Sequence, residues 1–316
     1  MIANRLLRAI PAALLLWQCA SALGAEGPQK IRVGFPSLAF SYLPFYVAQE
    51  KGILNKAGLE AEYIQMRTAI QPQAVLNGNI NFFPSVATGI GGAVAGLPLV
   101  VVLSLYNGSP WMLVTSKEIT KPKDLSGKKI AVSDIRTSPY YCALAGLKKM
   151  ELGEKEVAFI STGGTASSFA ALASGQVAGA VLTPPFDDKA VTAGFQKFLF
   201  LGDLADIPYV GLVTSQAEIK SHREQVQKTI AALLEGASWL RANRSETAKM
   251  IMDKFKVSGA EAERTYETLL SILTKDGRLS PKMARGYLDI LRQDRPVPPD
   301  MDPQKFLDFS ALPASR

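Results

Sequence analysis

Three consecutive residues, Arg136, Thr137 and Ser138, form the best anion-reading cluster in the chain. They lie between an apolar strand expected over 130–133 and a helix expected to begin near Pro139. Thr137 and Ser138 carry hydroxyls that can donate, and the free N–H groups of a helix start should point the same way. Arg136 adds a planar fork that can hold an oxyanion bidentately. Asp134, two residues earlier, competes for that charge.

Other chemistry finds little to work with. The single histidine, His222, sits in the polar run KSHREQ and reads as surface. Of the two cysteines, Cys142 falls in a helix near Leu144 and Leu147, where a small buried hydrophobe is expected rather than a nucleophile. So few histidines and cysteines argue against a zinc site and against a Ser–His–Asp triad. Gly163 and Gly164 in STGGT lack the lysine of a nucleotide-binding loop. Basic and aromatic residues do not alternate as they do along a nucleic-acid track, so no nucleic acid is expected. No cofactor is implied.

The elements that must position the cluster are strand–helix–strand units. Residues 30–65 read as a strand, a Gly/Ser loop over 36–43, a helix from Pro44 to Glu50 and a second strand, Leu59–Gln65. Pro44 suits a first turn, where its missing N–H costs nothing. The unit recurs about a hundred residues on, with a strand at 129–133, a helix at 140–150 and a strand at 157–160. Each is followed by a helix end, a Gly turn and a buried strand: AVLNGNINFF at 74–83 and ALASGQVAGAVL at 171–182. Two similar halves imply two α/β lobes of one design.

The chain has 316 residues, 47% of them hydrophobic, with formal charge +7, which allows two domains. Arg5 and Arg8 before an apolar run at 9–17, then small residues to Ala25, read as a secretory signal peptide. Its removal takes two basic residues and no acidic one, leaving +5. An exported chain with one remaining cysteine has no internal disulfide and rests on its cores. From Thr68 to Ser116 there is no charged residue. Its glycines and Leu97-Pro98 split this stretch into a short helix and a strand at 99–103, read as a doubly covered parallel strand rather than a membrane span. KEITKPKDLSGK at 117–128 reads as the surface linker into the second lobe, and the chain should return at 210–216. Beyond it the period becomes helical, with helices expected at 223–242, 245–255, 259–273 and 280–291, then a Pro-rich tail.

With these features in order, the chain resembles the periplasmic solute-binding proteins of ABC importers, in the nitrate/sulfonate/taurine and thiamine-precursor-like group. The resemblance is carried by VGFPSLAFSYLPFYVAQEKGIL, NGNINF, SGQVAGAV, GLPLVVV, PKDLSGKKIAV and ALLEGASWLRAN followed by SETAKMI. It implies a type II periplasmic-binding-protein fold with a ligand cleft between two α/β lobes. Residues 1–25 are then the leader, 26–116 the first part of lobe 1, 117–212 lobe 2, and 213–316 the rest of lobe 1 with the C-terminal helices. The pocket positions it implies are Ser41 and Tyr42, then Ser85, Val86 and Thr88, then Arg136, Thr137 and Ser138, then Phe186 and Asp187. Tyr42, Trp111 and Phe186 would face an apolar body too large for nitrate. Asn81 and Ala178 stand where the family has Asp after its Gly turns. The implied function is extracytoplasmic binding of a small organic anion, sulfonate or carboxylate, as a monomer serving a membrane permease. An enzyme of thiamine-pyrimidine synthesis and a periplasmic sensor partner use related lobes and remain the alternatives.

Overall fold

The computed structural model describes residues 27–293 and 295–312. The expected leader, 1–25, lies outside the described residues. The first unit forms as expected: β1 (Gln29–Phe35), α1 (Leu43–Glu50), the short α2 (Ile53–Lys56) and β2 (Leu59–Gln65). α3 (Gln71–Leu76), β3 (Phe83–Ser85), α4 (Val86–Val94) and β4 (Leu99–Ser104) complete the first passage. β1 pairs parallel with β2, and a parallel bridge between Val33 and Phe82 joins this pair to β3.

The second unit comprises β5 (Met112–Thr115), β6 (Lys129–Val132), α5 (Ser138–Lys149), β7 (Ala158–Ser161), α6 (Thr165–Ala173), β8 (Gly179–Leu182), α7 (Phe186–Thr192) and β9 (Gln196–Phe200). Its sheet runs β7-β6-β8-β5-β9, with β5 antiparallel to both neighbours. In the first lobe β10 (Val210–Ser215) lies antiparallel between β3 and β4. With the Val33–Phe82 bridge, that lobe reads β2-β1-β3-β10-β4, the same pattern of one reversed strand beside the third. The two similar halves expected from sequence are therefore two sheets of one topology, and the fold is α/β.

Strand pairing places the crossings earlier than the expected boundary at 116/117 and the expected return at 210–216. β5 already belongs to the second sheet and β10 already to the first, so the chain crosses within 105–111 and returns within 201–209. The expected boundaries at 116/117 and 212/213 shift accordingly. Both strands are short apolar runs that either sheet could bury, so their composition does not say which sheet takes them. The two crossings run side by side, tied by Leu105 N–H to the Val210 carbonyl at 2.9 Å and Leu201 N–H to the Trp111 carbonyl at 2.8 Å. The doubly buried strand expected at 99–103 is β4. Its pairing is antiparallel to β10, and an isolated bridge from Val101 to Leu307 covers its other edge.

The C-terminal helices are α8 (Gln216–Ser221), α9 (Arg223–Ala242), α10 (Arg244–Phe255), α11 (Gly259–Ile272) and α12 (Pro281–Leu291). Of the apolar stripe expected on α9, Val226, Ile230, Leu233, Ala237 and Leu240 are buried against the first lobe and Leu234 is half-buried. Gly236 lets α9 approach α1 so closely that an added Cβ would lie 2.6 Å from the Pro44 carbonyl. α10 and α11 also reach lobe 2: Lys189 Nζ donates to the Phe255 carbonyl at 2.6 Å, and Arg264 stands 3.4 Å from Asp188. Among the described residues no helix is long and apolar enough to cross a membrane.

Candidate functional site

Five loops that follow strands converge between the sheets. Pro36, Ser37, Ala39, Ser41 and Tyr42 follow β1, Thr68 follows β2, and Ser85 ends β3. From lobe 2 come Ser133, Thr137, Ser138 and Pro139 after β6, and Thr165 after β7. Trp111, Tyr209 and Val210 come from the crossings. They enclose a cavity of about 50 Å³. Strand carboxyl ends are where parallel sheets meet ligands, because the following helices present free N–H groups there. That volume suits a compact head group; an apolar body needs the lobes further apart, since organic ligands usually occupy roughly 300–1,000 Å³.

The lining residues are neutral, so electrostatics here rests on dipoles and donors. The helix starts around the cavity have no side-chain cap: α1 after Tyr42, α4 after Ser85, α5 after Thr137 and α6 after Gly164. Ser215, Ser258 and Ser280, at the same position of α8, α11 and α12, do cap their helices. Ser85 and Thr137 have hydroxyls but spend them elsewhere. Ser85 Oγ bonds Thr88 Oγ1 at 2.8 Å, and Thr137 Oγ1 donates to the Asp134 carbonyl at 2.5 Å. Side chains therefore take none of these N–H groups, although the first of α1 goes to the Phe40 carbonyl and the first of α4 to the Tyr209 carbonyl, which leaves the starts of α5 and α6 the more open.

The crossings build the aromatic wall. Trp111 Nε1 donates to Ser138 Oγ at 3.0 Å, and the Trp111 and Tyr209 rings meet edge-on at 5.4 Å. The Tyr106 hydroxyl donates to the Ser41 carbonyl at 2.9 Å, fixing the loop after β1. Burial raises the pKa of Tyr42, Tyr106 and Tyr209 well above the ordinary phenol value, so each phenol stays protonated.

Of the residues expected at the site, Ser41, Tyr42, Ser85, Thr137 and Ser138 line the cavity. Five do not. Arg136 has φ 62°, a left-handed conformation that directs it away, and it lines a separate groove with Tyr140 and Leu144. Val86 is fully buried beside Gly211, and Thr88 reaches the site only through Ser85. Phe186 packs on Phe169 within lobe 2. Asp187 is held by Lys197 at 2.7 Å. Burial raises the Asp187 pKa against the pull of that lysine. Asp134 pairs with Arg67 across the lobes, not with Arg136. Asn81 does not line the cavity: its side chain bonds the Arg32 N–H and Glu218, each at 2.8 Å.

Sequence reasoning missed Pro36, Ser37, Ala39, Thr68, Ser133, Pro139, Thr165, Tyr209 and Val210 as lining residues. Thr68 and Thr165 carried a signal, since each opens a helical turn just after a strand. Tyr209 carried none, because its place depends on where the chain recrosses.

Residues 39–247 match the family described as NMT1/THI5 like. No curated protein matches the chain. Among solved structures the chain is similar to a protein of Bordetella bronchiseptica RB50, with TM-score 0.76 and 21% identity over 89% of this chain and 95% of that one. It is also similar to the alkanesulfonate-binding protein SsuA from Xanthomonas axonopodis pv. citri bound to MOPS, with TM-score 0.72 and 16% identity over 90% and 99%. The periplasmic aliphatic sulphonate binding protein SsuA from Escherichia coli gives TM-score 0.66 and 17% identity over 89% and 97%. These likenesses establish the periplasmic-binding fold.

Proposed function

The chain belongs to the NMT1/THI5-like family, and on that footing we propose that it is the solute-binding component of an ABC importer, closing two lobes on a small organic anion that carries an apolar portion. It acts outside the cytoplasm as a monomer, hands its solute to a membrane permease and transforms nothing. The observation that carries the anion is the ring of uncapped helix starts, α1, α4, α5 and α6, around a neutral cavity. Such N–H groups and dipole ends hold a sulfonate or carboxylate without a cation. Ser138, whose oxygen accepts from Trp111, brings a hydroxyl to the cavity wall beside these helix starts. Tyr42, Trp111 and Tyr209 supply the apolar wall. Arg136 has no part in this reading. The transport reading expects no turnover: among the described residues the cavity is lined by hydroxyls, phenols and apolar groups, and a general base would have to come from elsewhere.

The test is a thermal-shift screen of the exported protein against alkanesulfonates, carboxylates, nitrate and pyrimidines, followed by calorimetry. A ligand at a hundredfold its Kd should stabilise the fold by about 2.7 kcal/mol. Tight binding of only neutral or cationic compounds overturns the anion, and catalytic consumption of a tight binder overturns the transport role.

A further inference from the structure

The STGGT segment, which suggested no nucleotide site in the sequence, lies where the two lobes touch. Gly164 faces Ser37 of lobe 1 so closely that a Cβ there would lie 2.8 Å from Ser37 Cβ and 2.9 Å from its Oγ. The φ of Gly164 is 174°, extended backbone that any residue adopts, so glycine is needed for the contact and not for the turn. A Cβ on its neighbour Gly163 would lie 3.9 Å from Arg67 Cγ, in ordinary contact. Arg67 in turn crosses to Asp134 of lobe 2. The Asp134 side chain is only 3% exposed, against 57% for Arg67, and its second oxygen, Oδ2, has no hydrogen-bond partner among the described residues. A buried carboxylate with one cationic partner is costly once that partner is removed.

We propose that Arg67, Asp134 and Gly164 are positioning residues that set the balance between open and closed lobes, Gly164 by admitting Ser37 and Arg67 by compensating Asp134 as it leaves water. This rests on the reading above that the lobes move. Closure then has a ligand-independent component built into the seam. When the lobes part, Asp134 regains water and Arg67 loses little, so the ion pair favours closing only while both partners are present. Binding of any solute in the cleft draws on the same balance, because the affinity of a closing protein scales with the fraction that is binding-competent.

The experiment uses the full exported chain with one spin label on each lobe, at Lys56→Cys and Lys155→Cys. Inter-label distances are measured without solute and with sodium methanesulfonate as the probe. Cys142 is buried and stays unlabelled. Two distance populations are expected. Gly164→Ala should lower the closed-to-open ratio by about fivefold to a hundredfold, the range for one methyl forced into a packed contact. Arg67→Ala should lower it by roughly tenfold, less than for a fully buried pair because Arg67 is more than half exposed. Adding Asp134→Asn to Arg67→Ala should restore part of the closed population, because the unpaired buried charge is gone. Mere damage to the fold would not be relieved by a second substitution, and thermal unfolding of each variant checks the fold directly. Two populations whose ratio ignores all three variants overturn the seam and leave lobe closure standing. A single distance in every variant, with and without probe, overturns both.

Discussion

Ser138→Ala probes the cavity wall and the donor at once. Ser138 and Trp111 are both buried, at 4% and 5% exposure, and the indole N–H donates to the Ser138 hydroxyl at 3.0 Å. Removing the hydroxyl leaves that N–H buried without its acceptor, which costs about 1–3 kcal/mol. At a urea dependence of roughly 2 kcal/mol per molar, the unfolding midpoint should fall by about 0.5–1.5 M. The same substitution removes a donor from the cavity, so anion affinity should drop about fivefold to tenfold. Trp111→Phe isolates the two effects. It frees the Ser138 hydroxyl to rotate, so affinity should fall although the donor is still present. Combining the variants should cost less than the sum of the two, with a coupling of about 1 kcal/mol or more. Urea melts followed by tryptophan fluorescence and calorimetry on the folded variants give both numbers. Additive stability effects would show that the Trp111–Ser138 bond contributes nothing, and unchanged affinity would take Ser138 out of the binding surface.

Arg136→Ala should leave anion affinity essentially unchanged by calorimetry, because its left-handed backbone directs it into another groove; a tenfold loss would return it to the site. Cys142 should resist alkylation in the native protein and react on unfolding, since burial pushes its thiol pKa up to about 12 from the ordinary 9.0. The sign follows: folding holds the proton, so the stability linked to Cys142 is present below the ordinary thiol value and lost as pH rises toward 12, which alkaline melts of wild type and Cys142→Ala compare. Gly236→Ala should destabilise by up to about 2 kcal/mol, an overpacking cost of roughly 1–3 kcal/mol against the Pro44 carbonyl less a helix-propensity gain of about 1 kcal/mol; a raised urea midpoint would show that α9 can shift to make room.

The sequence by itself determined the local elements, because these depend on periodicity and punctuation within short windows. β2 and α9 fall at their expected residues, and β1, α1, α5 and α12 within a residue or two. It also showed that the halves repeat, and the resemblance it carries placed Ser41, Tyr42, Ser85, Thr137 and Ser138 near the strand ends before α1, α4 and α5, where all five line the cavity. Only the tertiary structure decided sheet membership. β5 and β10 are apolar enough for either lobe, and hydrogen-bond pairing across a hundred residues settles where the chain crosses. Trp111 and Tyr209 owe their roles to that choice, since both lie on the crossings. Side-chain direction was equally out of reach. Arg136 stands beside Thr137 in sequence, yet one positive φ separates them in space. Asp134 found Arg67, far along the chain, rather than its near neighbour, because the packing of the two lobes brings the ends of β2 and β6 together. A residue's type is fixed by the chain, but the partner it meets and the water it loses are fixed by the packing of two lobes.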